Sequence, residues 1–284
     1  MDPEGLVMAI QNVARLLGSD IDGSRPFLDT RLPDGSRVAA LYAHGAMTVT
    51  IRKFNRWYST DQLIESGCLP ASVCRQLVGG LLGWDRKEKA NVLVSGGPGA
   101  GKSTLTKALI DRLPIEERLI FIERPREIAC SHLNVVRWEA SEGIPDIASP
   151  TGWREAPRSV AQLLVHALRS RPNRIIIGEV REPLEAYELL QALNTGHPGS
   201  IATIHADSAA DALYRLTDLA LAAHSNLAQE FVEKRVRRSI DYVVHMERRS
   251  VGRKVTELLQ VGDDGQIHRV YPEEERELWQ IKTA

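Results

Sequence analysis

The stretch Gly96-Gly97-Pro98-Gly99-Ala100-Gly101-Lys102-Ser103-Thr104 decides the fold. Gly96, Gly101, Lys102 and Ser103 fill every fixed position of the pattern G-x-x-x-x-G-K-[ST]. Before it, Asn91-Val92-Leu93-Val94-Ser95 reads as a short apolar strand, and after it Leu105 to Leu113 has helical spacing. Strand, loop and helix in that order are the context the pattern needs. Glycines leave room for backbone N–H groups to approach phosphate oxygens, and the helix beginning near Lys102 adds its positive end. Gly97, Pro98, Gly99, Ala100 and Thr104 complete the expected phosphate contacts. Lys102 is expected to reach the β- and γ-phosphates, and the Ser103 hydroxyl to ligate Mg²⁺.

Outward from the loop, strands are predicted at 91–95, 119–123, 134–138, 174–178 and 200–205, alternating with helices at 102–113, 159–169, 183–193, 207–222 and 227–238. This is an α/β pattern with a parallel sheet. Ser159 with Gln162 forms a capping box, and Pro183 suits a first helical turn. Residues 240–270 are expected to revert to antiparallel strands around the Gly262-Asp263-Asp264-Gly265 turn. Residues 141–157 read as a loop rich in Pro, Gly and Ser. Towards the N-terminus, residues 5–17 have helical spacing and Phe27 to Ile51 alternates around Pro33-Asp34-Gly35-Ser36. Phe54 to Ser59 reads as a hinge, and helices are predicted at 61–66 and 70–83. The domain boundary is expected near residue 57, dividing a short N-terminal domain, 1–57, from a larger one, 58–284. Glu273 to Glu277 is a solvated acidic run.

Composition narrows the function. The 284 residues are 43% hydrophobic and 26% charged, ordinary for a globular chain with a sizeable core. A formal net charge of −1 makes no global case for nucleic acid as partner. No apolar run reaches membrane-spanning length, and the acidic Met1-Asp2-Pro3-Glu4 start lacks a signal-peptide layout. Cys68, Cys74 and Cys130 are odd in number and lack metal spacing, as expected of reduced thiols in a cytoplasmic protein.

Ligands of such sheets bind beyond the carboxyl ends of the strands. Glu123 ends Leu119-Ile120-Phe121-Ile122, and Glu179 ends Arg174-Ile175-Ile176-Ile177-Gly178. Both are candidates to act on water or metal, against the alternative of solvated strand-end glutamates. His205 ends Ile201-Ala202-Thr203-Ile204 on the same edge and could hydrogen-bond a γ-phosphate. A metal pair of His197 with His205 has poor spacing. Arg169, Arg171, Arg174 and Arg181 flank the Glu179 strand, and Arg37 and Arg52 lie in the N-terminal part. A guanidinium on the γ-phosphate assists phosphoryl transfer. The cluster Lys234, Arg235, Arg237, Arg238 alternates with Glu230 and Glu233 and reads as a solvated helix face.

These features together resemble the hexameric secretion ATPases, which power type II and type IV secretion, conjugation and pilus assembly. The resemblance rests on the phosphate loop, Ile122-Glu123, the run Leu168 to Arg181, Asn194-Thr195-Gly196-His197-Pro198-Gly199 and Thr203-Ile204-His205-Ala206. Leu32 to Arg37 and Ile51-Arg52-Lys53-Phe54 add to it, nearest the conjugal-transfer and tight-adherence branches. It covers about residues 20–270. It implies a RecA-like core with a small α+β N-terminal domain and a C-terminal antiparallel hairpin. It implies ATP and Mg²⁺ as ligands, with Glu123 positioning water, Glu179 near the metal and His205 as the His-box histidine. Arg181 is a further catalytic candidate. Arg37 and Arg52 would reach phosphates on closure.

The resemblance further implies an oligomeric, six-membered, cytoplasmic ring peripheral to the inner membrane and docked on secretion or pilus machinery. A RecA-type DNA translocase and a nucleotide-binding scaffold without turnover are the competing readings. Two departures stand out: Arg124 where relatives carry Asp, and Pro172-Asn173 where they carry Pro-Asp. The tetracysteine zinc module of the type II branch is absent. The N-terminal domain is short for the family, as expected of a reduced product or of missing upstream residues.

Overall fold

The computed structural model describes residues 2–33, 36–53, 57–84, 88–141, 143–145, 153–224 and 226–272. The chain divides into two compact units, Met1–Arg56 and Trp57–Ala284.

In the smaller unit, helix α1 (Pro3–Leu16) precedes strands β1 (Phe27–Arg31), β2 (Arg37–Ala43) and β3 (Ala46–Arg52). Asp2 caps α1 by accepting the Gly5 N–H at 2.7 Å, and Pro3 fills the first turn, where no N–H is needed. The three strands form an antiparallel sheet in the order β1-β2-β3. Ile10 and Ala14 pack with Ile21, Leu28 and Ala40 as its core. His44 and Gly45 both have positive φ (50° and 76°), and Ala43 pairs with Ala46, so β2 and β3 meet through a two-residue left-handed turn. The Pro33-to-Ser36 turn, the predicted 141–157 loop and the 54–59 hinge each lie partly outside the described residues, and the acidic tail lies wholly outside them.

The larger unit contains α2 (Thr60–Glu65), α3 (Ala71–Leu82), β4 (Val92–Gly96), α4 (Lys102–Ile110), β5 (Leu119–Glu123), β6 (Val135–Glu139), β7 (Ile144–Pro145), β8 (Trp153–Glu155), α5 (Val160–Ala167), β9 (Arg174–Val180), α6 (Pro183–Leu193), β10 (Ile201–Ile204), α7 (Ala209–Ala223), α8 (Gln229–Ser239), β11 (Tyr242–Arg248), β12 (Arg253–Val261) and β13 (Ile267–Tyr271). Eight strands form one sheet in the order β13-β12-β11-β4-β10-β9-β5-β6. From β11 to β6 all pairings are parallel. β7 and β8 make a separate two-stranded antiparallel pair inside the segment read as loop.

Helices cover both faces of the sheet, so its strands read as unbroken apolar runs. Successive residues still divide between the faces. Leu93, Ile120, Ile122, Ile175 and Ile177 join the layer under α5 to α8. Val92, Val94, Phe121 and Ile176 join the layer under α3 and α4. Ser159 and Gln162 make the predicted capping box at the start of α5.

The reversal expected over 240–270 occurs later. β11 runs parallel to β4, with Tyr242 opposite Val92, because α8 serves as a crossover in front of it. Only β12 and β13 are antiparallel additions.

Candidate active site

β4 ends at Gly96, whose φ is 147°; a Cβ there would stand 2.3 Å from the Met246 carbonyl oxygen of neighbouring β11. Gly101, at φ 105°, turns the chain into α4 in a left-handed conformation that a side chain would strain. No side chain caps the start of α4. A helix whose first N–H groups are left open beside a glycine loop is an anion site.

Lys102, buried at the first position of α4, folds back over the loop. Its ammonium donates to the Gly96 carbonyl at 2.7 Å and the Gly97 carbonyl at 3.1 Å, and lies 3.2 Å from His205 Nδ1. An ammonium only donates, so Nδ1 accepts and the ring proton sits on Nε2. Burial is the main influence lowering the Lys102 pKa, opposed by Glu179. Burial and then the Lys102 charge lower that of His205, which keeps its ring neutral at pH 7.

Glu179 and His205 meet at the carboxyl edge. His205 Nε2 is 2.5 Å from Glu179 Oε1, at ion-pair distance but off hydrogen-bond alignment. Arg181 holds the other oxygen, with Nε at 2.6 Å from Glu179 Oε2. A bulge aims the glutamate: between Ala202 and Ile204, β9 advances from Ile177 to Val180, one residue more than β10.

Glu123 is almost wholly buried. Its Oε1 accepts the N–H groups of Glu127 and Ile128 at 2.7 and 2.8 Å, and its Oε2 has no hydrogen-bond partner. Burial pushes its carboxyl above the usual range, although those two N–H groups pull it down. Glu127 is the site residue that motif reading missed. It accepts the Ser103 hydroxyl at 3.1 Å and so ties the first turn of α4 to the end of β5. Its only signal in the sequence was an acid four residues after a strand-end acid.

The structure therefore brings Lys102, Ser103, Glu123, Glu179, Arg181 and His205 to one edge. Arg174 and His197 lie at the opposite edge of the same sheet. Arg174 is fully buried at the amino end of β9, pairing with Glu117 and donating to the Gly199 carbonyl at 2.9 Å, so it staples the opposite edge. His197 Nδ1 is 3.2 Å from the Ala192 carbonyl, at the amino end of β10. Arg37 and Arg52 are directly opposed partners on β2 and β3 of the smaller unit. Arg124, the charge reversal, pairs at 2.7 Å with the buried Glu185 of α6.

The donor set fits Mg²⁺ with a polyphosphate. Ser103 offers a hydroxyl oxygen, and Glu179 a carboxylate. Such hard oxygens suit Mg²⁺, which takes few protein ligands and relies on phosphates and water for the rest. Accordingly, no group of three or more His, Cys, Asp and Glu among the described residues could hold a metal alone.

This sheet order, with a glycine loop and lysine-initiated helix after a central strand, defines a RecA-like phosphate-loop core. The family model described as type II/IV secretion system protein matches residues 6–254. The chain is 32% identical over 272 residues to conjugal transfer protein TrbB of Rhizobium radiobacter, spanning 92% of this chain and 76% of that one. It is 36% identical over 267 residues to type IV secretion system protein PtlH of Bordetella pertussis, spanning 84% and 74%. The VirB11 ATPase of the Brucella suis type IV secretion system, solved with sulphate, superposes with a TM-score of 0.54 at 28% identity, over 92% of this chain and 84% of that one. The Legionella pneumophila ATPase DotB shares the fold with a TM-score of 0.62 at 21% identity, over 93% and 70%. The chain belongs to the type II/IV secretion system protein family.

Proposed function

We propose that this protein is a Mg²⁺-dependent ATPase that works as a ring, six-membered by family resemblance, at the inner face of a membrane-embedded secretion, conjugation or pilus machine. The observation that carries the ATPase reading is the buried Lys102 ammonium, which no carboxylate among the described residues neutralises at hydrogen-bonding distance. Among those residues the Gly96 and Gly97 carbonyls and the neutral His205 hold it, beside a helix start that no described side chain caps. A buried, partly desolvated cation of this kind favours an anionic ligand. Among the described residues no helix is long and apolar enough to cross a membrane, which supports attachment through other proteins.

The ATP phosphates would take the N–H groups of Gly99 to Thr104, with Lys102 on the β- and γ-phosphates. Ser103 and Glu179 would hold Mg²⁺, which supplies charge neutralisation for the leaving diphosphate. Ser103 donates its proton to Glu127, so its lone pairs stay free for a metal and Glu127 orients them. Glu123 Oε2 is the carboxylate oxygen left to orient water, and its raised pKa strengthens it as a base. Its Oε1 keeps the 127–128 turn in place meanwhile. His205, between Lys102 and Glu179, would sense the γ-phosphate. Arg181 restrains Glu179.

Lys102→Ala is expected to abolish both nucleotide binding and hydrolysis. Glu179→Gln is expected to bind ATP and cut turnover at least about 100-fold. Nucleotide titration, phosphate release and sedimentation with ATP measure these. A Glu179→Gln protein that hydrolyses normally and stays monomeric with ATP would overturn the proposal.

A further inference from the structure

β11 ends at Arg248 and β12 begins at Arg253, and these two residues are directly opposed cross-strand partners. The tip they form lies against the phosphate loop. Arg253 Nε donates to the Gly99 carbonyl at 2.8 Å. Arg253 Cδ is 3.1 Å from where a Cβ on Gly101 would stand, and Arg248 Nη1 is 4.0 Å from the same point on Gly99. Both arginines are exposed. Like charges facing each other across a strand pair are destabilising. Their neighbours avoid this: Glu247 faces Lys254 and pairs with Arg249 at 3.1 Å. Arg248 and Arg253 have no carboxylate in ion-pair contact among the described residues. Two facing guanidinium groups without a counter-charge, set on a loop built to receive phosphates, gain most from a bound polyanion.

We propose that Arg248 and Arg253 are nucleotide-binding residues of this chain. Arg248 donates from its guanidinium to the polyphosphate, and Arg253 is a positioning residue that holds the loop through the Gly99 carbonyl. A planar guanidinium can give two parallel N–H bonds to phosphate oxygens, complementing the point charge of Lys102. The inference rests on the nucleotide-binding reading above and adds a second cationic contact from outside the motif.

The test is titration of a fluorescent ADP into the full-length chain and its variants, with phosphate release measured separately at saturating ATP. Arg248→Ala should weaken ADP about tenfold, the loss expected for one charged hydrogen bond. It should also flatten the salt dependence of the Kd and leave the ligand-free melting temperature equal to or slightly above that of the wild type, since one of two facing like charges is gone. Arg253→Ala should weaken ADP comparably. Arg253→Lys keeps the charge but loses the Nε–H donor, so it should recover affinity while kcat stays low. ADP affinity within twofold of wild type for Arg248→Ala, with binding abolished in Lys102→Ala, would overturn this inference and leave the nucleotide site standing. Undiminished binding in Lys102→Ala would overturn the site itself. Arg253→Lys matching wild type in both Kd and kcat would remove the positioning role.

Discussion

Arg124 shows how one side chain can look wrong in a motif and be right in a fold. It follows the strand-end Glu123, a candidate site residue, and a charge reversal there suggests a damaged site. In the structure its guanidinium turns to Glu185, which is only 2% exposed and also accepts the Arg181 N–H at 2.9 Å. The pair joins the end of β5 to the first turn of α6, beside Arg181. Arg124→Ala would leave a buried carboxylate without its cation and should cost about 2–4 kcal/mol of stability, read from urea unfolding. Arg124→Ala with Glu185→Gln should recover part of that, since the charge left behind is what costs. No signal in the sequence pointed to this partner, because residues 124 and 185 meet only through the pairing of β5 with β9. Glu127 was hidden for the same reason: its role depends on Ser103, 24 residues away across the first crossover.

At the scale of elements, the β4–loop–α4 unit was legible because its chemistry needs particular residues at particular places. Gly96 cannot carry a side chain against the Met246 carbonyl, and Gly101 must adopt a left-handed backbone. The α5 start was legible from its capping box and the α6 start from Pro183 in its first turn. Features set by neighbours were not. The turn at His44-Gly45 lacks the usual Asn-Gly signal, and the parallel pairing of β11 depends on where α8 delivers the chain. β11 also buries His245, whose Nδ1 is 2.9 Å from Ser95 Oγ on β4, one residue before the phosphate loop. Burial lowers the His245 pKa, while Glu257, Glu247, Asp207 and Asp211 oppose the shift. A lowered folded value means the unfolded chain takes the proton first. The stabilisation from neutral His245 is therefore full above about pH 6.5, the ordinary imidazole value, and is lost as pH falls below it. Denaturant midpoints between pH 5 and 8 should show this slope, and His245→Gln should reduce it.

Across the whole larger unit, the two edges of the sheet are built differently. At the amino edge the buried charge is matched. Arg174 is wholly buried between Glu117 and the Gly199 carbonyl, Lys89 also pairs with Glu117, and Asn91 links Ser200 to Ser239. At the carboxyl edge, among the described residues, groups are left wanting: no side chain caps the α4 start, and Glu123 Oε2 lacks a hydrogen bond. Unsatisfied polar groups cost stability, so this edge gives some up while the opposite edge holds the sheet together. Substitutions at the two edges should then separate. Arg174→Leu should destabilise by about 2–4 kcal/mol, because Glu117 keeps only the half-exposed Lys89 and the Gly199 carbonyl loses its donor, yet leave ADP affinity within about twofold where the variant is folded. ADP at 100 times its Kd should stabilise the wild type by about 2.7 kcal/mol, raising Tm by roughly 5–10 °C for a unit of this size. Lys102→Ala should lose that shift, and Arg174→Leu should keep it from a lower starting Tm. Thermal scans with and without ADP measure all three. An Arg174→Leu protein that is fully stable, or one that is folded but blind to ADP, would mean that the two edges are not independent.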